Sequence, residues 1–243
     1  MCRHVAYLGP PVVLSTLLYE PPHSLVRQSW APRQQRHGTV NADGYGVGWY
    51  APELSTEPAR YRRSGPIWAD RSLPSIARAV RSTAVVAAVR SATSPSPSEE
   101  TGAAPFTSGP WLWSLNGVVS CGLEGLRRSV SLERAAGLEG CSDAEVLFAL
   151  VLDRLDSGAE PSAALTWLVD AVPGRLNTIL CDGRRLWATR CGDTLWWRRW
   201  NDGLVVASEP FDDEHAWVSV PDRSLVTDAG DVCAVTSLTA QGA

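Results

Sequence analysis

The order of its hydrophobic runs limits what this chain can fold into more than any other feature. Apolar or β-branched runs at 45–50, 84–90 and 111–116, punctuated by Gly and Ser, read as short strands. Ser142-Asp143-Ala144-Glu145 then has the S-x-x-E form of a capping box, with Ala144, Leu147, Phe148, Val151 and Leu155 at helical spacing behind it. A helix is therefore expected from about Asp143, and a second amphipathic one over 161–172. Further strands are expected at 176–181, 186–190, 204–208 and 232–236. Strands, two helices and strands again predict an α+β chain, with two antiparallel sheets and helices outside them. Between the second and third strands, residues 91–110 are crowded with Ser, Pro, Gly and Thr and read as one long loop.

A chain of 243 residues can bury a sizeable core, and with no break in composition a single domain over 2–243 is expected. The formal charge of -4 provides no basic footprint, so nucleic acid is not an expected partner. All 22 basic residues are Arg, which excludes chemistry built on a lysine Schiff base or a P-loop lysine. Gly9-Pro10-Pro11 breaks the apolar run that begins at Val5, against a signal peptide, and no apolar stretch reaches the roughly 18 residues of a membrane span. A cytoplasmic protein is expected. The six cysteines show no C-x-x-C pairing and read as independent thiols. Glu209 to His215 clusters oxygen ligands with a His but lacks H-E-x-x-H or EF-hand spacing. It reads as a solvated acidic turn, and neither metal nor cofactor is expected.

Chemistry is suggested first by Met1-Cys2. Removing the methionine would leave one residue with both a thiol of pKa about 8.5 and an α-amine of pKa about 7.7 to 8.0, a nucleophile beside its own base. Four local patterns accompany it: Asn41-Ala42-Asp43-Gly44-Tyr45-Gly46-Val47-Gly48-Trp49, Val89-Arg90-Ser91-Ala92-Thr93, Leu115-Asn116-Gly117 and the Ser142-Asp143 cap. Each has an ordinary structural reading. The glycines suit a turn and a strand packed against another backbone, Arg90 a strand edge, Asn116-Gly117 a bend, and Asp143 the positive end of a helix dipole.

Taken together and in this order, the motifs resemble the class II glutamine amidotransferase domain, across the whole chain. The resemblance implies an N-terminal-nucleophile fold, a four-layer αββα sandwich. It also implies a nucleophilic Cys2 and an oxyanion hole made by the Asn116 side chain and the Gly117 N–H. Arg90 would grip the α-carboxylate of a γ-glutamyl group, Asp143 its α-ammonium, and Thr93 would help close over it. The sequence departs from the family pattern twice, with Ala104 before Pro105-Phe106 and Leu115 before Asn116 where relatives commonly carry His. Both departures imply a changed leaving-group pocket.

Met1-Cys2-Arg3-His4, Pro21-Pro22-His23-Ser24 and Gln28-Ser29-Trp30-Ala31-Pro32-Arg33 are most similar to the ergothioneine-pathway branch of amidohydrolases. That similarity implies hydrolysis of a small γ-glutamyl substrate whose amine carries an imidazole and a trimethylammonium. Eleven tryptophans invite comparison with an aromatic cage for such a cation, although packing is the stronger expectation for most of them. A glutaminase or amidase for another amine, the glutaminase subunit of a two-chain synthase, and a non-catalytic sensor are the alternatives.

Overall fold

The structure, a computed structural model, describes residues 2–92, 99–228 and 233–238. The strands are β1 (Arg3–Val13), β2 (Tyr45–Trp49), β3 (Ala59–Arg63), β4 (Arg81–Val89), β5 (Phe106–Ser108), β6 (Trp111–Val119), β7 (Gly174–Cys181), β8 (Leu186–Arg190), β9 (Trp196–Trp200), β10 (Gly203–Ala207), β11 (Val218–Ser219), β12 (Ser224–Asp228) and β13 (Cys233–Ser237). The helices are α1 (Leu14–Leu18), α2 (Leu25–Gln28), α3 (Leu73–Ala79), α4 (Leu123–Arg128), α5 (Leu132–Ala136), α6 (Asp143–Asp156) and α7 (Pro161–Ala171). They build one sheet in the order β11-β9-β10-β1-β4-β2-β3 and another in the order β13-β12-β8-β7-β6-β5. Among the described residues, neighbouring strands within each sheet pair antiparallel.

Alternation along β1 and β4 shows how the layers stack. Val5, Tyr7, Val85, Ala87 and Val89 pack outward with Leu14, Leu17 and Leu25 of α1 and α2, and with Leu73 and Ala77 of α3. Ala6, Leu8, Ala84 and Val86 turn inward and meet Leu112, Ile179 and Ala188 of the second sheet. On that sheet's other face, Trp113, Leu115, Leu176 and Leu180 pack against α6 and α7 through Val146, Leu147, Leu150, Leu165 and Leu168. The result is the αββα sandwich. Because both faces of the central strands are covered, β4 is wholly apolar from Ala84 to Val89 rather than alternately polar, and a row of Ala and Gly lets the two sheets approach closely. At Gly46 a Cβ would lie 2.5 Å from the Ala104 carbonyl oxygen, so the glycine run is a close-packing device, as its ordinary reading expects.

β1 is a strand that the sequence reading did not anticipate; it runs through Gly9-Pro10-Pro11, its pairing with β4 shifts register between Leu8 and Val12, and the two prolines are exposed where ladder bonds lapse. Residues 91–110 are not one loop, since Phe106–Ser108 pairs with Trp111–Trp113 as a hairpin and Ala103 and Phe106 are buried. Asn116-Gly117 is no bend. Both residues lie inside β6, opposite Asn177 and Leu176 of β7. The Ser142 half of the capping box forms, accepting from Glu145 N–H at 3.2 Å, but the Glu145 carboxylate accepts from Glu139 and Gly140 N–H and so fastens the preceding loop instead. Glu209 is not solvated: it is fully buried and accepts from His23, Arg33 N–H and Gln34 N–H. No helix among the described residues is long and apolar enough to cross a membrane.

Candidate active site

Cys2 precedes β1, and the ladder that pairs Arg3 with Val89 brings it beside Arg90 at the end of β4. Alternation points Cys2 to the same side as His4 and Ala6, into the space between the sheets. From the opposite sheet, Ser114 and Asn116 of β6 face that space, because Trp113 and Leu115 are turned to the helices. The Cys2 main-chain N–H donates to Asn116 Oδ1 at 3.1 Å, so the nitrogen that methionine removal would free already has its acceptor. The Asn116 Nδ2 donates in turn to Ser208 Oγ at 3.4 Å, and Asn116 is fully buried.

A cavity of about 480 Å³ opens over this junction, with Cys2, Arg90, Gly117 and Asp143 in its wall. Gly117 lies directly against β7, where a Cβ would come within 1.8 Å of the Arg175 carbonyl oxygen; only glycine lets the strand run so close. Arg90 is held from several directions. Its N–H donates to Gly44 O at 2.7 Å, its carbonyl accepts from Asp43 N–H at 2.9 Å, and the Asp43 carboxylate accepts from Ala92 N–H at 2.8 Å. Its guanidinium packs over Gly102. The Asn41–Trp49 motif thus serves the site indirectly, by clamping the strand end that carries Arg90.

Asp143 is the first residue of α6, and two contacts fix that helix end to β6. Trp113 Nε1 donates to Ala144 O at 2.9 Å, and Trp113 stacks on Phe148 with ring centroids 5.7 Å apart. The Asp143 carboxylate accepts from Val119 N–H and Ala144 N–H. Burial pushes its pKa up, against the pull of those hydrogen bonds and of the Arg90 charge. The Cys2 thiol is also pushed up by burial, with a Ser91 main-chain hydrogen bond and Arg90 opposing the rise and Asp143 adding to it. A cation and a carboxylate therefore face one pocket beside a thiol, an arrangement suited to a small zwitterion with an electrophilic carbon.

Of the residues expected from sequence, Cys2, Arg90, Gly117 and Asp143 share the cavity, with Asn116 immediately behind Cys2. Thr93 lies outside the described residues. Ala104 lines the wall and Leu115 reaches both the wall and the helix-covered core. No tryptophan among the described residues lines the cavity, and Phe106 is the aromatic in its wall. Ser208, fully buried behind Asn116, lies in no sequence motif, and the equally buried Arg3 and Glu209 lie in motifs that gave no sign of their burial.

The profile of glutamine amidotransferases class-II matches residues 22–202, a span that contains Arg90, Asn116, Gly117 and Asp143. The chain belongs to the class-II glutamine amidotransferases. Among curated relatives of this family member, the gamma-glutamyl-hercynylcysteine sulfoxide hydrolase of Mycolicibacterium smegmatis is 43% identical over 93% of this chain and 95% of its own. The protein of the same name from Mycobacterium tuberculosis is 42% identical over 93% of this chain and 92% of its own. A glutamine aminotransferase class-II domain protein from Silicibacter pomeroyi shares the amidotransferase fold, with a TM-score of 0.72 at 23% identity over 98% of this chain and 100% of its own.

Proposed function

We propose that this class-II amidotransferase-family member hydrolyses the γ-glutamyl amide bond of γ-glutamyl-hercynylcysteine S-oxide, giving hercynylcysteine S-oxide and glutamate in ergothioneine biosynthesis. The observation that carries this reading is the 43% identity, over nearly the full length of both chains, to a hydrolase named for that substrate. The cavity supports it with one Arg, one Asp and a thiol together in its wall. The single unit 2–243 would act on a small molecule in the cytoplasm.

In the proposed mechanism Met1 is removed and the free Cys2 amine, in its neutral form, accepts the thiol proton. Arg90 pairs with the substrate α-carboxylate, a task suited to a planar two-pronged donor, and Asp143 takes the α-ammonium. The thiolate adds to the γ-carbonyl carbon, and the resulting oxyanion is held by Asn116 Nδ2 and the Gly117 N–H, each worth roughly 2.7 to 4 kcal/mol in comparable acyl transfer. Collapse breaks the C–N bond, and the leaving amine takes the proton from the Cys2 ammonium. Water then adds to the γ-glutamyl thioester, with the Cys2 amine accepting its proton, and collapse releases glutamate and regenerates the thiol. Glutamate release by wild type and by Cys2→Ala tests this. Turnover that is lost in a folded Cys2→Ala protein supports the mechanism, and continued release would refute it.

A further inference from the structure

We propose that Ser208 is a positioning residue for the reaction, orienting the Asn116 carboxamide that would stabilise the oxyanion; the proposal rests on the catalytic reading above. Among the described residues the Asn116 carboxamide has two partners. Cys2 N–H faces its Oδ1 at 3.1 Å, which fixes which end of the amide is oxygen, and Ser208 Oγ accepts from its Nδ2 at 3.4 Å. With one amide hydrogen directed to Ser208, the other is left for charge that develops beside Cys2. Resting hydrogen bonds in catalytic sites are commonly long and tighten as that charge forms.

Ser208 itself has little freedom. Its N–H donates to His4 O at 2.9 Å, its Oγ also accepts from His4 N–H at 3.0 Å, and its carbonyl accepts from Thr194 Oγ1 at 2.8 Å. The two bonds to His4 join the strand that follows Cys2 to the residue after β10, so the hydroxyl is set by the same ladder that sets Cys2. Ser208 and Asn116 are both at 0% exposure, so bulk water does not reach the contact between them. The serine is 92 residues from Asn116 and follows the buried run of β10, a place where a small polar residue has an ordinary capping role in sequence.

Ser114 is a control built into the same layer. It is equally buried and bonds His4 Nδ1 at 3.2 Å, whereas the Asn116 carboxamide bonds Cys2 and Ser208. The experiment measures kcat and KM for glutamine and for γ-glutamyl-hercynylcysteine S-oxide in Ser208→Ala, Ser208→Thr, Ser114→Ala, Asn116→Ala and the Ser208→Ala/Asn116→Ala pair. Ser208→Ala is expected to lower kcat about 10- to 100-fold, less than the 10²–10³ lost with a whole oxyanion donor, and to leave KM within about twofold. Ser208→Thr restores the hydroxyl and recovers kcat, Ser114→Ala stays within about threefold of wild type, and the double variant is no slower than Asn116→Ala alone. Ser208→Cys, a weaker acceptor of similar shape, carries the same expectation as Ser208→Ala should the alanine variant not fold. An unchanged kcat in Ser208→Ala, an equal loss in Ser114→Ala, or additive losses in the double variant would overturn the proposal. Turnover of either substrate is enough for the comparison, so the hercynyl assignment can fail without affecting it. A crystal structure of Ser208→Ala with Asn116 unmoved counts against the proposal whatever the wild type hydrolyses.

Discussion

Gly117→Ala tests the packing and the chemistry with one methyl group. The added Cβ would lie 1.8 Å from the Arg175 carbonyl oxygen and 2.7 Å from its carbon, where real Cβ contacts essentially never fall below 3.0 Å. The obstacle is the backbone of the neighbouring strand, so rotating a side chain does not relieve it; β6 and β7 must separate by about 1 Å at the register pair Gly117–Leu176. Overpacking of this kind costs about 3 kcal/mol, which in a chain of this size corresponds to a fall in Tm of roughly 6 to 12 °C. Moving the Gly117 N–H by about 1 Å should lower kcat about 100-fold. Differential scanning calorimetry and steady-state glutamate release read the two effects separately. Gly125→Ala is the contrast, because a Cβ there meets nothing within 4 Å inside α4 and the substitution should stabilise by about 0.5 to 1 kcal/mol. A Gly117→Ala protein with wild-type Tm and wild-type kcat would refute both the close approach and the role given to this N–H.

Other outcomes follow from burial and charge. His4 is fully buried and its pKa is pushed down to about 3 by desolvation and the Arg3 charge, so the unfolded chain binds the extra proton between about pH 3 and 6.5. Stability contributed by neutral His4 is therefore present above pH 6.5 and lost as pH falls, by roughly 2 kcal/mol at pH 5; urea unfolding at pH 7.5 and pH 5 should show the loss, and His4→Gln should flatten it. Asp143 has its pKa raised by burial, so KM for a γ-glutamyl amide should climb on acidification before ordinary carboxylates titrate, and Asp143→Asn should abolish that pH dependence while raising KM throughout. Arg90→Gln should raise KM about 10- to 100-fold, the worth of a charged hydrogen bond to carboxylate, and initial rates over a substrate series check it. Glu209→Ala leaves the buried His23 without its partner and frees the partly buried Arg33 and Gln34 N–H groups, and should cost about 3 kcal/mol by denaturant titration.

The sandwich could be read in the sequence wherever one element had a period of its own. The α6 stripe and the short apolar runs of β2, β4, β7, β8 and β10 signalled themselves, with ends displaced by a few residues. β1 did not, because Gly9-Pro10-Pro11 interrupts its apolar run, although these prolines sit at a lapse in the ladder rather than at the strand's end. The Asn-Gly pair misled for a related reason. Glycine serves turns through its backbone freedom and strands through its missing Cβ, and only the Arg175 carbonyl distinguishes the two uses. Arg90 and Asp143 could be nominated through local motifs, but the eleven tryptophans could not be sorted by type, since Trp113 fastens a helix whereas Trp30 and Trp68 pair at the surface. Ser208 and Glu209 act through partners up to 186 residues away, and no local pattern encodes such contacts.

Cys2 is expected to turn over a γ-glutamyl amide bearing the hercynyl group in preference to glutamine. The most direct measurement is kcat/KM for glutamate release from γ-glutamyl-hercynylcysteine S-oxide and from glutamine by the purified protein, each beside Cys2→Ala. A Cys2-dependent rate constant at least about 100-fold higher for the hercynyl compound is the expected result, since its extra groups supply binding energy that glutamine lacks. Equal values, or a preference for glutamine, would contradict the substrate assignment.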